Sequence, residues 1–238
     1  MQPKFDDIHV RFVDAVLAGN VSAVKSCLTR VHDINALVQH QRMSTYFRSP
    51  LVAAVAECCN ANTALTTQIV RLLVEAGAKP ELLDSEKLCA LHRVVHPEHA
   101  KILFSACQDP TLCMRTYTGE TLLHCHATFE RIEICELLIK RKADVNALNY
   151  NGNTALMVSV ELGWPKALPM LLSNGADLGI QNRSGHTALS LEPINGCGAP
   201  SFVMGRQILQ QHVLLVAAVL IELVKKDPAS LVLGYFCG

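Results

Sequence analysis

Three potential metal ligands stand side by side in this sequence: His124, Cys125 and His126. Imidazole and thiolate are favoured ligands of zinc, and a zinc site needs three or four ligands in a tetrahedron. Successive residues of a helix point in directions about 100° apart, so side chains meet at spacings of three or four residues. Three adjacent residues therefore cannot converge on one ion. We interpret His124 as bonded to local backbone, Cys125 as a small core residue and His126 as partly exposed.

A second group of histidines has a spacing that suits a metal better. His92, His96 and His99 are four and three residues apart, which would place them on one face of a helix. Pro97 argues against that helix, because a helix normally ends before the residue that precedes a proline. The H-E-x-x-H pattern of zinc proteases does not occur. We therefore predict no metal and no cofactor.

Signals of catalysis are few. The chain has ten cysteines and no C-x-x-C pair, and Gly196-Cys197-Gly198 lacks the third glycine of a dinucleotide-binding loop. The sequence has no G-x-S-x-G elbow, phosphate-binding loop or kinase signature. The N-terminus has no apolar run after a basic start, so the cysteines are expected to be reduced, in the cytoplasm or the nucleus. We predict that the protein is not an enzyme, with a metal- or thiol-dependent enzyme as the minor alternative.

Composition restricts the classes of partner. Half of the residues are hydrophobic and 18% are charged, with 21 basic and 21 acidic residues. Such a chain is too apolar for disorder, and it has no basic excess that would favour a nucleic-acid partner. The most apolar stretch, residues 213–224, is shorter than the roughly 18 residues that a membrane span needs and is interrupted by Glu222. We therefore predict neither a nucleic-acid partner nor a membrane span.

A period of 33 residues organises the second half of the chain. It relates Gly119, Gly152 and Gly185 to one another. Further sets with the same spacing are Thr121, Thr154 and Thr187; Leu123, Leu156 and Leu189; Ala143-Asp144 and Ala176-Asp177; and Leu138-Ile139 and Leu171-Leu172. In each period the threonine can cap a first helix, and Gly175 can end a second helix in the left-handed conformation. A fixed period of this length is the signature of stacked helical repeats.

The two regular copies, Gly119 to Asn146 and Gly152 to Asp177, resemble the ankyrin repeat, whose signature is roughly G-x-T-P-L-H-x-A-A followed by V-x-x-L-L-x-x-G-A-D-x-N. Less regular copies are anchored at Phe12 to Asn35, at Ser49-Pro50-Leu51, at Ala90-Leu91-His92, and at Gly185, where the pattern stops after Leu191. The resemblance implies an all-α ankyrin-repeat solenoid of about five to six helix-turn-helix units with short β-hairpin-like fingers.

Three segments follow from this pattern. Residues 8–191 are predicted to form the ankyrin repeat domain, with extra residues at 38–49 and within CCNANTALTTQ. Residues 192–205 form a Pro/Gly-rich break, and residues 206–238 an apolar C-terminal helix and tail. Repeat stacks need end caps with a polar outer face. This helix, apolar almost all round, is therefore an atypical cap.

Ankyrin relatives commonly bind proteins with their fingertips and inner helices. Tyrosine and arginine are enriched among interface residues that dominate binding energy. In the register of the repeat, nine residues are candidates for such contacts: Tyr117, Glu120, Phe129, Tyr150, Asn153, Glu161, Leu162, Arg183 and His186. The sequence thus predicts a non-enzymatic adaptor that binds a protein through its concave face.

An alternative role comes from the tail. Ankyrin proteins with a C-terminal SOCS box are substrate receptors of cullin-type ubiquitin ligases, which they join through elongin-type adaptors. Leu233 to Cys237 fits the L-x-x-x-C core of that box, although Val232 departs from the small residue expected before it. The alternative is therefore a substrate-recognition subunit with an altered or truncated SOCS box.

Overall fold

The structure, a computed structural model, describes residues 7–39, 47–56, 63–107, 115–191 and 200–226. These residues are mostly helical, as the all-α prediction required, and they include one short pair of strands. The chain divides into two compact units. Unit 1 comprises Met1–His126 and Glu133–Ala143, and unit 2 comprises Ala127–Ile132 and Asp144–Gly238.

The first three helix pairs lie in unit 1. They are α1 (Asp7–Leu17) with α2 (Val21–Leu28), α3 (Pro50–Ala56) with α4 (Thr63–Glu75), and α5 (Ala90–Arg93) with α6 (Pro97–Ala106). The first helices of the pairs pack on one another in the order α1, α3, α5, and the second helices in the order α2, α4, α6. This two-layer packing buries large side chains such as Phe12, Leu51 and Leu91 completely.

The later helices follow the 33-residue period. They are α7 (Leu122–Thr128), α8 (Ile132–Lys140), α9 (Ala155–Glu161), α10 (Ala167–Ser173) and α11 (Pro200–Lys226). The pair α7 and α8 is divided between the two units, whereas α9 to α11 belong to unit 2. The described residues thus hold five helix pairs, and the sixth copy ends in a single turn near Thr187, where Ser190 Oγ accepts the amide of Thr187 at 2.8 Å.

Helix starts use the residues that the sequence suggested. The Thr154 hydroxyl accepts the amide of Met157 at 3.3 Å, and the Ser49 hydroxyl accepts that of Val52 at 3.3 Å. Pro50 stands at the first position of α3, where its fixed φ suits a helix and its missing N–H costs nothing.

Asparagine side chains join neighbouring repeats within each unit. In unit 1, Asn35 donates to the Gly77 carbonyl at 3.2 Å and accepts the Lys79 amide at 2.8 Å. In unit 2, Asn146 donates to the Gly175 carbonyl at 3.0 Å and accepts the amide of the following repeat's aspartate at 2.8 Å. One amide side chain thereby satisfies both a donor and an acceptor of the next repeat's backbone.

The two segments with extra residues are described in part. β1 (Val38–Gln39) pairs antiparallel with β2 (Phe47–Arg48) at the two ends of the 38–49 segment, while residues 40–46 lie outside the described ranges. The extra residues near CCNANTALTTQ were predicted to lie between two helices. α3 ends at Ala56 and α4 begins at Thr63, so the second half of the CCNANTALTTQ segment belongs to α4. Residues 57–62 are not described.

The C-terminal helix is longer than the sequence suggested. It begins at Pro200 rather than at 206, because a proline in the first turn starts a helix rather than preventing one. Gly205 therefore lies within the helix, where an added Cβ would meet Leu168 of α10 at 3.4 Å. Residues 192–199 of the predicted break and the tail after Lys226 lie outside the described ranges. In the described part of the chain, no helix combines the length and hydropathy that crossing a membrane requires.

The fourth repeat lacks two glycines that the fifth repeat has. Glu130 and Lys142 occupy the positions 33 residues before Gly163 and Gly175, and they adopt φ values of 54° and 65°. A left-handed conformation costs a residue with a Cβ about 1–2 kcal/mol. In unit 2, Glu130 offsets part of this cost, because its carboxylate accepts the Lys166 amide at 2.9 Å at the start of α10.

Candidate protein-interaction surface

A tight turn forms each fingertip. In unit 1 the Gly119 amide donates to the Thr116 carbonyl at 2.9 Å, and Gly119 has a φ of 78°. The Thr116 hydroxyl accepts the amides of Thr118 and Glu120 at 3.3 and 3.1 Å. These bonds fix the turn from Thr116 to Glu120, and Tyr117 projects from it with 75% of its surface exposed.

Unit 2 repeats the same turn twice. The Asn149 carbonyl accepts the Gly152 amide, and the Asn182 carbonyl accepts the Gly185 amide, both at 2.9 Å. Each asparagine side chain also accepts two amides of its own turn, at 2.9 to 3.0 Å. Tyr150, 56% exposed, and the exposed Arg183 occupy the tip position that Tyr117 holds in unit 1. We call residues 149–153 and 182–186 the unit 2 fingertips.

The unit 2 fingertips are bonded to each other. The Arg183 amide donates to the Asn151 carbonyl at 3.0 Å, and the Asn182 side chain donates to that of Asn153 at 2.8 Å. An added Cβ on Gly152 would lie 2.9 Å from the Arg183 backbone nitrogen. The two tips therefore form one rigid edge, and Gly152 is needed for their close approach.

One residue predicted to contact a partner is buried in the structure. Asn153 was expected to face a partner, but it is only 7% exposed. Its amide donates to the Asn149 side chain, and its own side-chain oxygen accepts from Asn182. Asn153 therefore joins two neighbouring fingers by a hydrogen bond, and the finger that contains Asn182 covers its side chain. Glu120 is half-buried in unit 1, and His186 is exposed in unit 2.

The residues that hold the turns were missed. Thr116, Asn149 and Asn182 make the hydrogen bonds that fix each tip, and they are themselves 33 residues apart. Threonine and asparagine are turn formers because their side chains accept backbone amides two or more residues ahead. The 33-residue period contains this information, because each of the three residues stands three positions before the glycine of its repeat.

Comparison with known proteins supports the repeat. A family model described as ankyrin repeats, in three copies, matches residues 96–182. The chain contains ankyrin repeats. The helices α6 to α10 lie within the matched residues.

Two curated relatives match part of the chain. The chain is 33% identical over 127 residues to the B-cell lymphoma 3 protein homolog of Mus musculus, which covers 51% of this chain and 28% of that protein. It is 35% identical over 99 residues to the B-cell lymphoma 3 protein of Homo sapiens, covering 39% of this chain and 22% of that protein. The chain therefore matches about a quarter of the length of these curated relatives.

Solved structures agree on the ankyrin fold. The ankyrin repeat domain of Bcl-3, a member of the IkappaB protein family, matches with a TM-score of 0.63 at 29% identity, over 75% of this chain and 77% of that chain. The ankyrin repeat protein EF0377 matches with a TM-score of 0.65 at 22% identity, over 85% of this chain and 98% of that chain. The second likeness concerns the fold alone.

Three predicted contact residues lie away from the ankyrin fingertips. Phe129 directly follows α7, and Glu161 and Leu162 end α9, so all three lie at the turns between paired helices. Phe129 and Leu162 are exposed, and the Arg131 guanidinium lies 4.8 Å from the centre of the Phe129 ring. Burial raises the pKa of Glu161. The exposed Trp164 also lies at a turn between paired helices in unit 2.

The His124-Cys125-His126 stretch is structural. The His124 ring accepts the Thr121 amide at 3.3 Å and lies 2.8 Å from the Thr121 hydroxyl, as a backbone-bonded histidine should. Cys125 is buried, as predicted. The prediction of a partly exposed His126 was wrong. The His126 ring is fully buried because its Nε2 reaches the Leu91 carbonyl of the preceding repeat at 2.8 Å.

The other histidines do not converge. His92 lies in α5, whereas His96 caps α6 and Pro97 begins that helix, so the proline separates the two as expected. His99 bonds to the Thr67 hydroxyl at 2.9 Å. Within the described ranges, no group of three or more histidine, cysteine or acidic side chains is placed to hold a metal ion.

Cys89 lies beside a histidine, with its Sγ 3.1 Å from His92 Nδ1. Burial raises the pKa of the Cys89 thiol to about 11 and lowers that of His92 to about 4. A nucleophilic cysteine needs a depressed pKa, so this pair is not an activated thiol. The stretches Gly196 to Gly198 and Leu233 to Cys237 lie outside the described residues.

Proposed function

We propose that this chain is a non-enzymatic interaction module that binds a protein partner through its fingertips. The observation that carries the proposal is the exposure of Tyr117 in unit 1, and of Tyr150 and Arg183 in unit 2, on turns fixed by hydrogen bonds. Large side chains on rigid supports lose little conformational entropy when they bind, so they are effective anchors.

The first helices of the fourth and fifth repeats, α7 and α9, offer little surface to a partner. Every residue of α9 from Ala155 to Val160 is buried, and so are Leu122 to Ala127 of α7. On the side of these two helices, a partner therefore meets mainly the fingertips and the turns that join paired helices. The likeness to the ankyrin repeat domain of Bcl-3 supports a binding role of this general kind. The fold does not name the partner, because one fold carries many functions.

Affinity purification tests the proposal. The bait is the full chain, and the test variant combines Tyr117→Ala, Tyr150→Ala and Arg183→Glu. The control combines Lys25→Glu and Leu65→Ala, which are exposed on the second helices of unit 1. The test variant should lose the captured partner while the control retains it, with equal far-ultraviolet circular dichroism for both. Retention of the partner by the test variant would exclude the fingertip surface.

The non-enzymatic part of the proposal rests on the described residues. The buried Cys89 and His92 are both neutral at neutral pH, and neither is placed for acid-base work on a substrate. The remaining proposed contact residues are Glu120, Phe129, Glu161, Leu162 and His186.

We propose that the protein acts in the cytoplasm or the nucleus.

The ligase alternative depends on Leu233 to Cys237 alone. The family model and the relatives described above concern ankyrin repeats. Co-purification of elongin-type adaptors and a cullin with the full chain, lost on Leu233→Ala and Cys237→Ala together, is the outcome that this alternative requires.

A further inference from the structure

The unit 2 fingertips carry an unusual charge distribution. No aspartate or glutamate lies between Asp144 and Glu161 or between Asp177 and Glu192. Arg183 is the one formally charged residue within 149–153 and 182–186. The fingertip edge of this unit is therefore cationic, although the whole chain has no net charge.

Within the described ranges, the positive charge of Arg183 is not neutralised by a carboxylate. Its guanidinium has no hydrogen-bond or ion-pair partner among the residues that the structure describes. Unit 1 offers a contrast, because Arg93 there binds the carboxylates of Asp84 and Glu86. An arginine left without a carboxylate on a binding edge retains its full capacity for a partner's carboxylate.

Three of the four acidic residues that bound these segments lie in the described part of the chain, and two of them accept amides of their own turns. The Asp144 carboxylate accepts the Asn146 amide at 2.9 Å, and the Asp177 carboxylate accepts the Gly179 amide at 2.7 Å. Glu161 lies at the far end of α9, and burial raises its pKa. None of these three carboxylates is placed on the fingertips to neutralise Arg183.

Arg183 and Tyr150 are held in a fixed relation. The Arg183 amide is bonded to the carbonyl of Asn151, the residue that follows Tyr150. Both side chains are exposed, and their turns are each fixed by an asparagine. The edge thus presents an aromatic ring and an unpaired guanidinium from one rigid support.

We propose that the unit 2 fingertips bind an acidic protein segment that carries apolar side chains. One carboxylate pairs with Arg183, whose planar fork suits two parallel hydrogen bonds, and an apolar side chain lies against Tyr150. The inference rests on the proposed function and adds the chemical class of the partner.

A nucleic acid fits the edge less well. Affinity for nucleic acid depends on neutralising several phosphates, and one arginine without a lysine beside it neutralises few. An acidic protein segment can bind through one carboxylate paired with a single cation, provided that apolar side chains make further contact. The observations therefore favour an acidic protein segment.

The test uses fluorescence anisotropy of a labelled peptide in which pairs of glutamates alternate with phenylalanine, titrated with the full chain. Binding should weaken as salt is raised, and replacing the glutamates with glutamines should abolish it. Arg183→Glu should lower the affinity by about tenfold or more, since a charged hydrogen-bonded pair becomes a repulsion. Arg183→Lys should retain part of the affinity, and Lys25→Glu should retain all of it.

Three outcomes would overturn the inference: equal binding of the glutamine peptide, no effect of Arg183→Glu, or tighter binding of a labelled single-stranded oligonucleotide than of the acidic peptide. These outcomes are separable from failure of the proposed function. A partner captured by the wild-type chain, lost with Tyr150→Ala and kept with Arg183→Glu, would sustain fingertip binding and refute the acidic partner.

Discussion

Cys89 and His92 reproduce, with a thiol, the pair that Thr121 and His124 make in the next repeat. In both pairs the histidine Nδ1 accepts the backbone amide three residues earlier, at 3.2 and 3.3 Å. The thiol or hydroxyl of that earlier residue lies 3.1 or 2.8 Å from the same nitrogen. The nearness of cysteine to histidine is thus a helix cap rather than a catalytic arrangement.

This cap makes stability depend on pH. Burial lowers the pKa of His92 to about 4 in the folded chain, while the unfolded value is the ordinary 6.5. The unfolded chain therefore binds more protons between these values, and stability is lost as the pH falls through that window. Each pKa unit corresponds to about 1.4 kcal/mol, so the free energy of unfolding should fall by about 2 kcal/mol between pH 7 and pH 5.

Urea titrations at several pH values measure this loss. His92→Gln keeps an acceptor for the Cys89 amide but cannot be protonated, so its free energy of unfolding should vary less with pH. Burial also lowers the pKa of His99, and part of the slope should remain in the variant. Equal slopes for the two proteins would refute the assignment to His92.

The sequence predicted the exposure of some individual side chains and not of others. The period placed Tyr117, Tyr150 and Arg183 at exposed tips, because tip residues are set by the turn of their own repeat. His126 and Asn153 are buried by a residue of an adjacent repeat, through Leu91 and Asn182. Local spacing does not reveal such contacts between repeats, which explains both errors.

The glycines of the last two fingers differ in what they contribute. Both adopt a left-handed conformation, but only one of them lies close to the backbone of the neighbouring finger. Gly152 and Gly185 both have a φ of 77°. A Cβ on Gly152 would lie 2.9 and 3.1 Å from backbone atoms of Arg183 and Asn182, whereas a Cβ on Gly185 would meet nothing within 4 Å. We expect Gly185→Ala to cost about 1–2 kcal/mol of left-handed strain and Gly152→Ala about 1–3 kcal/mol more, because backbone must move.

Chemical unfolding of the two alanine variants gives the difference directly. Gly152→Ala should also weaken partner binding more than Gly185→Ala, since it separates the two tips. If the free energy of unfolding falls by the same amount in both variants, the close approach of the two fingers does not contribute to the stability of the protein.

Element boundaries were predicted where a repeat residue marks them. Thr154 and Gly175 bracket the fifth repeat, as the spacing implied. The fourth repeat was harder, because Glu130 and Lys142 adopt left-handed conformations without being glycine. The start of α11 was misplaced because a proline near a glycine was interpreted as a break, although Pro200 begins the helix.

For the molecule as a whole, α11 completes unit 2. It packs on α9 and α10, and Leu209 is fully buried there, whereas Leu215 one and a half turns later is 64% exposed. Leu209→Ala should lower the free energy of unfolding by about 2–5 kcal/mol, the range for a buried leucine. Leu215→Ala should change it by no more than about 0.5 kcal/mol.

Hydrogen exchange monitored by mass spectrometry checks the location of the effect. Leu209→Ala should increase exchange first in α9 and α10, because neighbouring repeats share stability. Equal protection of these helices in both leucine variants would show that α11 does not stabilise the repeat beneath it.

Trp164, the single tryptophan of the chain, lies at the turn between α9 and α10. Its indole is partly exposed in unit 2, so its emission reports on the fifth repeat and not on α1 to α6. Circular dichroism, in contrast, averages over all helices. Unfolding curves from the two signals that coincide would identify a single cooperative transition, and curves that separate would resolve the melting of one end of the chain without any introduced label.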